Sequence, residues 1–108
     1  MKSTNPLSES LYQAILCLKT LEEAKRFFRD LLTEEEIEEF AKRWQVAQML
    51  DQDIPYTKIQ KQTGLSSTTV ARISRWLRSG MGGYRLVLDR GTVSAMHHST
   101  SSREKRLA

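Results

Sequence analysis

Between Tyr56 and Arg75 the chain reads YTKIQKQTGLSSTTVARISR, a run that gathers hydroxyls, cations and small side chains. These groups suit the grip of a polyanion rather than bond-making chemistry. Hydroxyls bond phosphates or bases, and arginine holds guanine through two parallel bonds or clamps a phosphate. On a helix capped by Ser66, the residues Ser67, Thr68, Ala71, Arg72 and Arg75 fall outward. Val70 and Ile73, three apart, fall inward and are expected to pack on Ile59 of the preceding helix. The small residues near the helix start permit close approach, and the helix N-terminus itself favours a phosphate. Ser67, Thr68, Ala71 and Arg72 are thus expected to read base edges. Lys58, Lys61, Thr69 and Arg75 are expected to hold phosphates, with Ser66 beside them at the helix start. Gly64 supplies the left-handed turn between the two helices. The alternative is a plain helical hairpin with a polar surface. In one respect the pattern departs from a usual helix-turn-helix: the position after the apolar anchor Ile59 holds Gln60 rather than a small residue.

No other residues assemble into a reactive set, and no enzyme is expected. Cys17 lies between Leu16 and Leu18 in an apolar stretch, where a buried structural thiol is expected. His97 and His98 are adjacent, with no cysteine or carboxylate at ligand spacing, so no metal site is expected. Glu34 to Glu39 fit the solvated first turns of a helix better than acid–base work. No glycine-rich loop follows a strand, so nothing cradles a nucleotide. Trp44 and Trp76 are expected in a core or an interface.

The elements that must position these residues are helices. Leu11, Ile15 and Leu18 mark a first helix from about Leu7 to Leu18, after a frayed start over 1–6. Thr20 with Glu23, and Thr33 with Glu36, have the spacing of capping boxes that open a second and a third helix. The third is the longest, about Glu34 to Leu50, with Ile37, Phe40, Ala41, Trp44, Ala47 and Leu50 on one stripe. Asp51, Asp53 and Pro55 are expected to end it. A fourth helix runs from about Tyr56 to Gln62 and a fifth from about Ser67 to Arg78. After Gly80, Gly82 and Gly83, a short sixth carries Tyr84, Leu86, Val87 and Leu88. The expected fold class is all-α. Residues 1–90 form one helical domain and 91–108 a disordered basic and polar tail.

Charge is divided along the chain. Residues 1–40 hold five basic and nine acidic side chains, and residues 41–90 hold nine basic and three acidic ones. The basic middle suits nucleic acid, although an ordinary solvated face has the same composition. No apolar run is long enough to span a membrane, no secretory signal is apparent, and the single cysteine fits a reducing cytoplasm.

The segments LEEAKRFFRDLLTEEEIEEFAKRWQVAQML, DQDIPYTKIQ and RSGMGGYRLVLDR, together with the helix-turn-helix, resemble the Trp repressor superfamily and within it the YerC/YecD branch. The resemblance covers residues 7–90. It implies six helices, a homodimer whose N-terminal helices interlock, and a sequence-specific regulator of transcription, most simply a repressor, that binds double-stranded DNA. A protein-interaction module on the same scaffold is the alternative function. The family archetype clamps tryptophan between two arginines, which align with Arg43 and Arg72. The glycine that leaves room for its indole aligns with Ile73, and Trp44 lies close by. A β-branched side chain there would fill the pocket, so no cofactor is expected and tryptophan in particular is not. Arg43 and Arg72 then bind phosphate or pair with carboxylates.

Overall fold

The computed structural model describes residues 5–91, and all regular structure among them is helical. The expected tail beyond Gly91, including His97 and His98, lies outside the described residues, as do residues 1–4. The helices are α1 (Pro6–Leu16), α2 (Leu21–Leu31), α3 (Glu34–Asp51), α4 (Tyr56–Thr63), α5 (Ser67–Ser79) and α6 (Gly83–Arg90). They group into two compact units with a boundary after Phe40, inside α3.

In the first unit, local capping chemistry sets the helix limits. The Asn5 side chain accepts the Leu7 N–H at 2.8 Å, and Pro6 occupies the first turn, so α1 starts one residue before the expected Leu7. It also ends two residues earlier than expected. The N–H groups of Cys17 and Leu18 bond three residues back, to Ala14 and Ile15, which tightens the last turn and stops the α-helix at Leu16. The Thr33–Glu36 box is reciprocal: Glu36 N–H donates to Thr33 Oγ1 at 3.0 Å and Thr33 N–H to Glu36 Oε1 at 2.9 Å. At Thr20 the hydroxyl accepts from Glu23 N–H, but the Glu23 carboxylate reaches one residue further back, to Lys19 N–H. Neither α1 nor α2 has a buried residue. Leu7 is 80% exposed, and Tyr12, Leu16, Leu21 and Leu31 are exposed as well. Cys17 is also exposed, against the expectation of a buried thiol, because no element of its own unit covers this side of α1.

The second unit holds the core. Val46, Ala47 and Met49 of α3, Ile59 of α4, and Val70 and Ile73 of α5 form one buried cluster. Trp44, Leu50, Ile54, Leu65 and Tyr84 pack around it. At the end of α3 the N–H of Ile54 bonds Met49 O at 3.1 Å and that of Asp53 bonds Leu50 O at 2.9 Å. This is the double bond pattern of a Schellman ending. Its left-handed position is filled by Asp53, with φ 61°, where glycine is usual. Aspartate tolerates that region better than most residues. Helix α6 closes the unit. Tyr84 stacks on Trp44, with ring centroids 6.4 Å apart and planes 15° from parallel. Arg85 donates to Asp51 at 2.9 Å and to Asp89 at 3.2 Å. The hydrogen bond to Asp51 outweighs partial desolvation and raises the guanidinium pKa further, so this link stays ionic.

Candidate nucleic-acid interface

Helices α4 and α5 form a helix-turn-helix whose angle is fixed at the turn. Gly64 is left-handed, φ 78° and ψ 5°, and its N–H closes α4 on Gln60 O at 2.8 Å. Ser66 caps α5 by accepting Thr69 N–H at 3.2 Å, and its hydroxyl donates to Thr69 Oγ1 at 3.1 Å. Both residues were expected to contact DNA. Here the Ser66 hydroxyl serves the helix start, and Thr69 is half-buried beside it.

A residue absent from the sequence reading ties the turn together. Thr63 is buried, and its hydroxyl donates to Ile59 O at 2.8 Å while accepting Leu65 N–H at 3.2 Å. The side chain thereby ties the last turn of α4 to the residue past the bend and gives the Leu65 N–H an acceptor, where leaving such a group unpaired would cost about 1–3 kcal/mol. Ile59 and Val70 are 0% exposed and Ile73 is 4% exposed. The packing of Val70 and Ile73 with Ile59 is therefore as the spacing required. Ile73 is packed into that core, with 4% of its surface exposed.

With the inner face anchored, the outer face of α5 is displayed. Ser67, Thr68, Ala71, Arg72 and Arg75 are all exposed and line a single groove of about 770 Å³ with Tyr56 and Trp76. Tyr56 and Trp76 are the members missed by the sequence reading. Tyr56 stands at the first turn of α4, and Trp76 follows Arg72 by four residues, so the same helical spacing that selected Arg72 and Arg75 reaches it. Trp76 is 48% exposed and does not belong to the core. Lys58 and Lys61 are exposed on α4 and line a second groove with Thr57, Gln60, Gly64 and Leu65. Arg43 is exposed on α3 and is not among the residues of the α5 groove, which Arg72 lines. No group of histidine, cysteine and carboxylate side chains fit for a metal occurs among the described residues. No described helix is long and apolar enough to cross a membrane.

This scaffold can be placed among known proteins. The model of the Trp repressor protein family matches residues 8–92. The chain belongs to the Trp repressor family. It is 45% identical over 82 residues to the uncharacterized protein YerC of Bacillus subtilis (strain 168), a match covering 76% of this chain and 79% of that protein. The resemblance to the YerC-like branch is thus upheld. Among solved structures, a TrpR-like protein from Eubacterium eligens ATCC 27750 superposes with a TM-score of 0.76 at 41% identity, over 81% of this chain and 90% of the other. A candidate Trp repressor of Staphylococcus aureus gives a TM-score of 0.75 at 38% identity, over 81% of this chain and 87% of the other. The expected all-α, six-helix Trp repressor fold is therefore the fold of this family member.

Proposed function

We propose that the protein is a sequence-specific DNA-binding regulator of transcription, acting as a repressor, that lays α5 in the major groove without needing tryptophan. The observation that carries this reading is the α5 groove. It brings Ser67, Thr68, Ala71, Arg72 and Arg75 to the surface together, on a helix whose opposite face is sealed into the core. In this reading Arg72 hydrogen-bonds a base, and Ser67, Thr68 and Ala71 lie against neighbouring base edges. Lys58 and Lys61 from α4, with Thr69 and Arg75 from α5, hold the backbone, and Ser66 sets the helix end against a phosphate. Buried Ile73 supports independence from tryptophan, because a bound indole would have to displace a core side chain.

The active form in this proposal is a homodimer. Leu7, Leu11, Tyr12, Leu16, Leu21 and Leu31 of α1 and α2 are exposed within their own unit, and a second copy supplies their cover. Two copies of α5 then enter successive major grooves about 34 Å apart, the general spacing of dimeric helix-turn-helix proteins. The work is done on DNA in a reducing cytoplasm, where a lone exposed cysteine stays a thiol.

Selection of random duplex DNA by the purified protein, at physiological salt and with no added ligand, tests the reading. The expected result is a palindrome with half-sites one turn apart, bound by a species of twice the chain mass in light scattering. Arg72→Ala should lose affinity for that site while keeping its affinity for random DNA. Absence of any enriched sequence would count against sequence-specific reading. A monomer in light scattering would count against paired half-sites.

A further inference from the structure

The α5 groove contains two kinds of surface, and only one of them is accounted for by hydrogen bonding. Arg72, Arg75, Ser67 and Thr68 offer donors and charge, as a groove for a polyanion should. The remaining lining is apolar: the rings of Tyr56 and Trp76 and the methyl of Ala71. Tyr56 is 38% and Trp76 48% exposed, so both rings present surface that nothing in the unit covers.

Trp76 is also held in place. A Cβ built on Gly80 would lie 2.4 Å from Trp76 Cε3 and 2.6 Å from Trp76 O. The six-membered edge of the indole therefore rests in the space that the missing side chain of Gly80 leaves. An exposed tryptophan held against a glycine backbone has little freedom to lose when a ligand covers it, which favours a contact role.

The charge in the groove decides what covers it. Arg72 and Arg75 share the lining with the rings, so an uncharged apolar protein surface would bury two cations without partners, whereas DNA satisfies them. Of the four bases, only thymine carries a methyl group on its major-groove edge. Resting on the reading of α5 as the DNA-contacting helix, we propose that Tyr56, Ala71 and Trp76 form an apolar seat for the C5 methyl of one thymine in each half-site. Trp76 and Tyr56 are then specificity-determining residues, alongside Arg72.

The test replaces each thymine of a selected site in turn by deoxyuridine, which removes the methyl and leaves the hydrogen-bonding edge intact. Affinities are measured for the full-length wild type, Trp76→Ala and Ala71→Ser. At one position per half-site, wild type should lose about fourfold, the ratio for one buried methyl of roughly 0.8 kcal/mol at about 1.4 kcal/mol per decade. In Trp76→Ala and Ala71→Ser the same replacement should change affinity by less than about 1.5-fold, because the seat is gone. Ala71 is an exposed helical position, so Ala71→Ser keeps the test valid should Trp76→Ala fail to fold. Selective binding by wild type with a flat uracil scan overturns the methyl seat and leaves DNA reading by α5 intact. A fourfold penalty that persists in either folded variant overturns the assignment of these residues. Failure of wild type to select any sequence overturns both this inference and the reading it rests on.

Discussion

Ile59 is the buried pivot of the helix-turn-helix, and shortening it tests whether this small core sets the geometry of the outer face. Its side chain is 0% exposed and belongs to the cluster joining α3, α4 and α5. Ile59→Ala removes three buried carbons, at about 0.8 kcal/mol each, or about 2.4 kcal/mol of transfer free energy. The cavity adds to this, because the neighbours Val46 of α3 and Val70 and Ile73 of α5 are held on two other helices and cannot all close in. The sum falls at about 4 kcal/mol, in the upper part of the roughly 2–5 kcal/mol span for such truncations. At about 4–8 °C per kcal/mol for a chain near this size, Tm should drop by roughly 15–30 °C. Ile59→Val removes a single carbon and should cost only about 1 kcal/mol. Thermal unfolding followed by circular dichroism, at one fixed protein concentration, measures both, since an oligomer's Tm depends on concentration. A loss below about 1 kcal/mol for Ile59→Ala, or equal losses for the two variants, would refute the claim that Ile59 is the packed pivot.

Three further outcomes are expected. Lys61→Ala should flatten the dependence of DNA affinity on salt by about 0.9 per phosphate contact removed, or about 1.8 for a dimer, read from anisotropy titrations at several salt concentrations; an unchanged slope would take Lys61 off the phosphates. Gly64→Ala should lose about 1 kcal/mol through the left-handed backbone alone, since no atom crowds its Cβ, and Gly64→Asn should lose less; equal losses in denaturant unfolding would show that strain is not the cause. Gly80→Ala meets both the Trp76 ring and the Trp76 carbonyl oxygen, so it should change the tryptophan fluorescence spectrum as well as lower stability; stability lost with an unaltered spectrum would detach Gly80 from the placement of that ring.

Much of the helix layout was legible without coordinates, because its determinants are local. Capping pairs such as Thr33 with Glu36, the glycine at 64 and the inward spacing of Val70 and Ile73 act within one or two turns of chain. The same spacing assigned Ser67, Thr68, Ala71, Arg72 and Arg75 to the outer face, since an amphipathic helix turns its apolar stripe to the core and the opposite, polar stripe to solvent. The misreading of α1 arose where a rarer local solution won: its expected end at Leu18 yielded to i−3 bonding at Cys17 and Leu18. At the end of α3, Asp53 was among the residues expected to stop the helix, and it does so from the left-handed position.

Only the tertiary structure decided which of these side chains share a surface. Tyr56 opens α4 and Trp76 lies on α5, and their meeting in one groove follows from the crossing of the two helices at Gly64 and Thr63. Thr63 reads in the sequence as one more polar residue, yet burial turns its hydroxyl into a bridge across the bend. Cys17 shows the converse: its apolar neighbours suggested burial, but burial requires a partner surface, and sequence spacing along α1 cannot say whether its own unit provides one. Local hydrogen bonding and helical period fix the elements, whereas exposure and shared surfaces depend on which elements pack against each other.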